Sequence, residues 1–147
     1  MEIVDALRQH GAAPKEDMEA LWRRLVFNIL ISNTDDHLRN HGFLYEGRDG
    51  WRLSPAYDLN PVPVDIKPRI LTTAINEDDG TASLALALDV AAYFELEVGS
   101  AREITVQVGK VVSKWRDAAA RHGLTKSETD RMASAFEHAD LEMARAL

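Results

Sequence analysis

The densest group of reactive side chains lies between Asn33 and Asn40. These eight residues contain two carboxylates, one imidazole and two amides, and they follow directly on an apolar stretch. A further acid, Asp58, stands eighteen residues after Asn40. An acid, an amide five residues later and a second acid after a short excursion form the polar set that phosphoryl transfer requires. In that chemistry one carboxylate orients a hydroxyl group, while an amide and a carboxylate hold Mg²⁺.

Three residues are the candidates for this chemistry, and each also has a plainer interpretation. Asp35 is suited to accept the proton of an attacking hydroxyl group, or it hydrogen-bonds backbone amides as a loop carboxylate. Asn40 offers a hard amide oxygen to Mg²⁺, or it bonds its own backbone in a turn. Asp58 is the expected carboxylate ligand, or it caps the start of a following turn.

The neighbouring polar residues have several possible roles. His37 could be a zinc ligand together with Asp35 or Asp36, a general base, or a residue that braces the loop through hydrogen bonds. We expect bracing, because the chain contains no cysteine and no His-Glu-x-x-His pattern. We interpret Asp36 as a secondary group paired with Arg39. His41 is interpreted as a surface residue or the start of a strand.

Helices are predicted for most of the chain around these residues. Apolar residues recur at three- and four-residue spacing from Met18 to Leu30, which indicates a helix that leads into the polar run. Ser100 and Thr125 each precede a glutamate by three residues, the pattern of a capping box. Further helices are predicted, in chain order, at residues 3–9, 83–94, 100–121 and 125–145. An acidic turn is predicted at residues 76–80.

A short hairpin is predicted between the two parts of the candidate site. Residues 41–45 and 51–53 have the composition of strands, and residues 46–50 between them carry the glycine and aspartate of a turn. A hairpin returns the chain to its starting point, so it can bring Asp58 beside Asn40. The predicted fold class is therefore mainly α with a small β-hairpin, an α+β fold.

Composition excludes several classes of protein. The chain has 147 residues, a formal net charge of −7 and 46% hydrophobic residues, which fits one globular domain. The acidic balance argues against direct binding of nucleic acid. No run reaches the roughly 20 apolar residues of a membrane helix, and the first residues do not form a signal peptide. We therefore expect a cytoplasmic protein without a membrane partner, and the lack of cysteines fits that compartment.

Two motifs resemble the C-terminal half of the HipA-type (high-persistence A) toxin kinases. The family loop has the form Thr-Asp-x-His-x-x-Asn, which is Thr34–Asn40 here, and the family's metal-binding segment corresponds to Ser54–Leu59. The family is distantly similar to eukaryotic protein kinases and phosphatidylinositol kinases. The resemblance implies the helical C-terminal lobe of a kinase-like fold, with Asp35 as catalytic base and with Asn40 and Asp58 binding Mg²⁺.

The same resemblance implies ATP-dependent phosphorylation of serine or threonine in a protein target. Known targets in the family are aminoacyl-tRNA synthetases, and the usual partner is a DNA-binding antitoxin. Family members are much longer, and their N-terminal part covers the ATP. Here no glycine-rich loop precedes Asp35, and Lys15 is the only lysine before it.

The resemblance thus implies that residues 1–147 are a single C-terminal lobe without the N-terminal ATP-covering lobe, with unidentified nucleotide-binding residues. We expect this chain to be inactive on its own and to partner an antitoxin or the missing lobe. Two alternatives remain. One is a non-catalytic interaction subunit or remnant of a toxin–antitoxin system, and the other is a metal-dependent hydrolase that uses Asp35, His37 and Asp58.

Overall fold

The computed structural model of the protein describes residues 2–75 and 79–147. In these residues it contains seven α-helices and one two-stranded antiparallel sheet, which confirms the predicted α+β class. None of the described helices is both long and apolar enough to cross a membrane. Most of the predicted acidic turn, residues 76–78, lies outside the described residues.

The second helix is the centre of the fold. α1 (Glu2–His10) packs against α2 (Pro14–Leu30), and α2 also contacts three later helices, at Leu84–Asp89, Val98–Val112 and Ala139–Ala146. Pro14 suits the first position of a helix, because no hydrogen bond of its nitrogen is lost there. The predicted apolar stripe is buried completely at Met18, Trp22 and Ile29. This helix therefore fixes the point at which the polar run begins.

The hairpin is confirmed at the predicted position. β1 (Phe43–Tyr45) pairs with β2 (Trp51–Leu53) through a 3₁₀ turn at Gly47–Asp49, with Leu44 opposite Arg52 in register. The hairpin is joined to α2 by Asp17, a carboxylate that is only 3% exposed. It accepts from the Leu53 backbone N–H at 3.0 Å and from the Arg52 guanidinium at 3.0 Å.

The remaining helices form the other side of the core. In chain order they are α3 (Leu84–Asp89), α4 (Val98–Val112), α5 (Trp115–Arg121), α6 (Lys126–Phe136) and α7 (Ala139–Ala146). The capping box at Thr125 is confirmed, because its hydroxyl and the Glu128 carboxylate bond each other's backbone N–H groups. The one expected at Ser100 is wrong, because α4 already begins at Val98.

Three predicted helices are each divided in the structure, and the one predicted at 83–94 becomes α3 and a 3₁₀ turn at Ala91–Phe94. The predicted helix 100–121 breaks after Val112, and the predicted helix 125–145 breaks after Phe136. The break after Phe136 lets α7 turn back onto α4, whereas α5, after the break at Val112, has no buried residue and contacts α6. In particular, α7 packs tightly on α4, where a Cβ added to Gly109 would lie 2.8 Å from the Ala144 Cβ. Only glycine fits at that crossing without displacing the helix.

A long segment without helix or strand crosses the polar run. Residues 59–75, which we call the strap, carry three prolines and contain no helix or strand. One isolated bridge joins Ile70 of the strap to Thr81. We call residues 33–40 the polar loop. The contacts between strap and loop define the candidate site.

Candidate active site

The polar loop begins among fully buried polar residues. Ser32, Asn33 and Thr34 are all 0% exposed. Ser32 has a φ of +54°, and its hydroxyl donates to the carbonyl of Ala135 at 2.8 Å. Asn33 bonds back to Asn28 of α2 through its backbone N–H at 2.8 Å and its side-chain amide at 3.0 Å. These bonds fix the start of the loop against the core.

Asp35 points outward from a backbone that is held on both sides. Its side chain is 68% exposed. The preceding carbonyl, of Thr34, accepts from the Thr72 N–H at 3.3 Å and the Thr72 hydroxyl at 2.8 Å. The following carbonyl, of Asp36, accepts from the Thr73 N–H at 3.0 Å and the Thr73 hydroxyl at 2.7 Å. The strap therefore fixes the backbone on both sides of Asp35, while the Asp35 carboxylate remains exposed.

Asn40 lies inside the same loop and is locked onto the Asp35 peptide. It ends a 3₁₀ turn, Leu38–Asn40, and is 4% exposed. Its Nδ2 donates to the Asp35 carbonyl at 3.3 Å. Only the nitrogen of an amide can donate to a carbonyl, so this bond fixes the orientation of the side chain. The Asn40 Oδ1 makes no hydrogen bond to any described residue and remains free to accept.

Asp58 is exposed and adopts a left-handed backbone conformation, with a φ of +57°. Such a conformation costs a non-glycine residue about 1–3 kcal/mol, and such outliers cluster at functional sites. The Asn60 amide donates to Asp58 Oδ1 at 2.7 Å. The Tyr57 hydroxyl donates to the Arg39 carbonyl at 2.8 Å. Tyr57, which precedes Asp58, is therefore in contact with Arg39, which precedes Asn40. A metal site shared by Asp58 and Asn40 remains a prediction.

Behind the loop, hydrogen bonds run through His41. The His41 side chain is 4% exposed, with Nε2 2.9 Å from Asp36 Oδ1 and Nδ1 3.2 Å from Arg24 Nη1. A guanidinium can only donate, so Nδ1 must accept and Nε2–H must donate to Asp36. Nδ1 of His37 is buried and has no hydrogen-bond partner among the described residues.

Two interpretations of this region were therefore wrong. His41 has a buried side chain rather than a surface one, and Asp36 pairs with His41 rather than with Arg39. The physical reason is that Asp36, which is 6% exposed, faces α2 instead of solvent. The bracing role of His37 remains a prediction that its Nδ1 does not support.

Arg24 extends this network to the end of the hairpin. It is 7% exposed, and its Nη2 donates to the Ser54 carbonyl at 2.8 Å. Burial lowers the pKa of Arg24, whereas the nearby Asp36 and Tyr57 raise it. One guanidinium thus connects α2, the polar loop and the segment that leads to Asp58.

A second arginine, Arg69 of the strap, ties three elements together. Its Nε donates to the Ser32 hydroxyl at 3.0 Å and its Nη2 donates to the Ile29 carbonyl at 3.0 Å. Its Nη1 donates to Asp140 of α7 at 2.7 Å. The other oxygen of Asp140 accepts from the Leu84 N–H at 2.8 Å. Arg69 therefore links the strap to the C-terminal end of α2 and to α7.

Lys67 lies on the outer side of the same strap. Its Nζ donates to the Thr34 carbonyl at 3.3 Å and is 3.7 Å from Asp35 Oδ1. Sequence reasoning missed the strap residues that contact the loop and its base. The only available signals were two basic residues and a threonine pair in a segment without periodicity: Lys67, Arg69, Thr72 and Thr73.

A mainly apolar pocket of about 190 Å³, partly open to solvent, lies behind the polar loop. Its walls include Val4, Leu21, Leu25, Leu38, Ile75 and Phe94, and the Asp36–His41 pair forms its polar side. The pocket separates the loop from parts of α1 and α2. The loop is therefore held by hydrogen bonds on this side more than by close packing.

The residues present fit Mg²⁺ better than zinc. Among residues 2–75 and 79–147, no group of three histidine, cysteine, aspartate or glutamate side chains could hold a metal ion. Zinc sites need three or four such ligands. Mg²⁺ uses one or two protein oxygens together with phosphates and water, which the free Asn40 Oδ1 and the exposed Asp58 carboxylate could provide.

The profile of the HipA-like C-terminal domain family matches residues 1–146. This chain belongs to that family. A Haemophilus influenzae protein named "Putative kinase" is 28% identical over 88 residues, which are 57% of this chain and 26% of that protein. "Putative kinase Y4dM" of Sinorhizobium fredii is 32% identical over 101 residues, which are 68% of this chain and 24% of that protein. No solved structure matches the chain.

The resemblance to HipA-type kinases is thus confirmed at the level of the family. The HipA-like domain spans about a quarter of the length of these curated relatives. The roles of Asp35, Asn40 and Asp58 remain predictions.

Proposed function

We propose that this HipA-like domain is the C-terminal catalytic lobe of a serine/threonine-protein kinase toxin. The kinase transfers a phosphoryl group from ATP to a protein with the help of Mg²⁺. The observation that carries this proposal is the bond from Asn40 Nδ2 to the Asp35 carbonyl at 3.3 Å. It places the candidate base and the candidate metal ligand on one rigid turn, as phosphoryl transfer requires.

Asp35 is the base in this proposal. Its carboxylate is 68% exposed, so the hydroxyl group of a large protein substrate can reach it. The strap holds the peptides on either side, so the carboxylate starts from a fixed position. Asp35 orients the attacking hydroxyl group and accepts its proton as the new bond to phosphorus forms.

Asn40 and Asp58 are the proposed ligands of Mg²⁺. When bound, the ion neutralises charge on the phosphates. The Asn40 amide presents Oδ1 because Nδ2 is engaged, and Asp58 keeps one carboxylate oxygen that Asn60 does not bond. The contact between Tyr57 and Arg39 keeps these two ligands on neighbouring segments.

The rest of the ATP site comes from another lobe in this proposal. No glycine-rich loop or strand-borne lysine precedes Asp35 in these 147 residues. We therefore expect that the chain alone turns over no ATP, and that an N-terminal lobe completes the site in the cytoplasm. A protein substrate and an antitoxin are the partners that this family relationship suggests.

The proposal is tested by measuring Mg²⁺-dependent nucleotide binding. We expect weak binding of Mg-ADP by the wild-type chain, detected by ligand-observed ³¹P NMR. Asp58→Asn and Asn40→Ala should each weaken it by about tenfold or more, because each removes a metal ligand. Asp117→Asn is the matched control, since it removes an exposed acid on α5.

Each alternative gives a different result. A non-catalytic interaction subunit would show no nucleotide binding, and Asp58→Asn would leave its affinity for a partner unchanged. A hydrolase would bind zinc or manganese in a manner that depends on His37. ATP turnover by the isolated chain would contradict the expectation that a second lobe is needed.

A further inference from the structure

Lys67 places a positive charge beside the candidate base. Its Nζ is 3.7 Å from Asp35 Oδ1, and both side chains are open to solvent, at 43% and 68% exposed. Its hydrogen bond to the Thr34 carbonyl, at 3.3 Å, points the ammonium group along the outer surface of the loop. The strap therefore brings a cation to the same surface as the base.

Neither contact of Lys67 is needed to hold the loop. The Thr34 carbonyl already accepts two hydrogen bonds from Thr72, which use both of its lone pairs. An ion pair between two exposed side chains contributes little to stability. Arg69, two residues later, has three partners and a side chain that is 19% exposed. Arg69 is placed to stabilise the fold, whereas Lys67 is available to a ligand.

An anion is the ligand that this position suits. During phosphoryl transfer, negative charge spreads over the three equatorial oxygens of the moving group, and a fixed cation stabilises it. Lysine binds phosphate as a compact point charge. Arg24 is buried and already bonded to Ser54 and His41. Arg39 of the loop is exposed, but among the described residues it is Lys67 that forms an ion pair with the Asp35 carboxylate.

We propose that Lys67 Nζ binds the terminal phosphate of a Mg-nucleoside triphosphate. The inference rests on the proposed function. In the transfer step, the target hydroxyl oxygen bonds to the terminal phosphorus and the bond from that phosphorus to the bridging oxygen breaks. The hydroxyl proton goes to Asp35, and the nucleoside diphosphate leaves. Lys67 stays protonated and contacts oxygens of the transferred group.

The test compares Mg-ATP with Mg-ADP, because only ATP carries the terminal phosphate. Dissociation constants are measured by ligand-observed ³¹P NMR, which detects millimolar affinity. We expect the wild-type chain to prefer ATP, and Lys67→Met to lose about tenfold in ATP affinity with ADP affinity unchanged. Lys67→Arg should keep most of the preference. Lys110→Met, which removes an exposed lysine of α4, should behave as wild type.

Several results would overturn the assignment. Equal loss of ATP and ADP affinity in Lys67→Met would do so, as would no loss at all. A lower urea midpoint for Lys67→Met would make Lys67 a structural residue instead. If the wild type bound ATP and ADP equally and Asp58→Asn weakened both, the phosphate-binding role of Lys67 would be rejected. The proposed function would still be supported. If Lys67→Met lost ATP affinity selectively while Asp58→Asn changed neither affinity, the role of Lys67 would be supported. The metal site at Asp58 would be contradicted. Absence of any nucleotide binding would reject both.

Discussion

The polar loop and its neighbours His41 and Asp58 form two surfaces, which differ in how their polar groups are bonded. On the inner surface, Asp36 and His41 are buried, bond each other and reach Arg24 of α2. On the outer surface, Asp35 and Asp58 are exposed and make few contacts. The inner polar residues are therefore placed to stabilise the fold, and the outer ones are placed to contact a ligand. A substitution on one surface should change unfolding, and a substitution on the other should change ligand binding.

The largest effect on the free energy of unfolding is expected at Arg69, which joins the strap to the core. Arg69→Met removes the guanidinium partner of Asp140, whose side chain is 15% exposed, so the free energy of unfolding should fall by about 3–5 kcal/mol. Urea denaturation followed by circular dichroism measures this. Arg131→Met breaks only an exposed pair with Asp65 and should leave the midpoint unchanged. Equal effects of the two substitutions would remove the distinction between the buried and the exposed ion pair of the strap.

The two histidines of this region give the next comparison. His41→Leu leaves Asp36 and Arg24 buried without their shared partner, which should cost about 2–3 kcal/mol of unfolding free energy. His37→Leu breaks no hydrogen bond with a described residue and should cost less than about 1 kcal/mol. The same urea titration compares both. A larger loss for His37→Leu would restore the bracing role that the sequence suggested.

A smaller effect is expected from pH, through His138 next to Arg69. Burial lowers the pKa of His138, the Arg69 guanidinium lowers it further, and Asp140 opposes them. The Leu30 and Ala135 carbonyls also oppose the shift, although neither ring nitrogen meets the geometry of a hydrogen bond.

Because the folded pKa is the lower one, the unfolded chain binds the proton first as pH falls below about 6.5. The stabilisation is thus complete above that pH and is lost below it. The urea midpoint should fall between pH 7.5 and pH 5.5, and this fall should be larger for the wild type than for His138→Gln. Parallel falls in the two proteins would show that His138 is not responsible.

The smallest effect on stability is expected at Asp58, on the outer surface. Glycine has no steric cost at a φ of +57°, so Asp58→Gly should change the free energy of unfolding by no more than about 1 kcal/mol. Asp58→Ala should be the less stable of the two, since alanine resists this conformation. Both should lose metal-dependent nucleotide binding. A strong loss of stability in Asp58→Gly would place Asp58 with the inner residues.

Local pattern was sufficient to predict part of the fold. The hairpin was predictable because its turn residues and short strands are close in sequence, and the Thr125 capping box depends on Glu128 alone. The breaks after Val112 and Phe136 were not predictable, because no glycine or proline marks either position. The packing of α7 on α4 joins residues far apart in the sequence, so no local pattern encodes it.

The site shows the same limit. Asp35, Asn40 and Asp58 were identifiable because a short motif fixes their types and spacing. The contacts of Arg69 span up to 71 residues of sequence, and no local pattern encodes them. His41 was misjudged for the same reason, since its partner Arg24 lies on the preceding helix.

The pocket of about 190 Å³ behind the polar loop also has a mechanical consequence. Because it is partly open to solvent, the apolar side chains that line it meet few protein atoms across the gap and gain little dispersion energy there. The α4–α7 contact at Gly109 is, by contrast, closely packed. The surface that carries Asp35 should therefore yield more readily to a small displacement than the α4–α7 contact does.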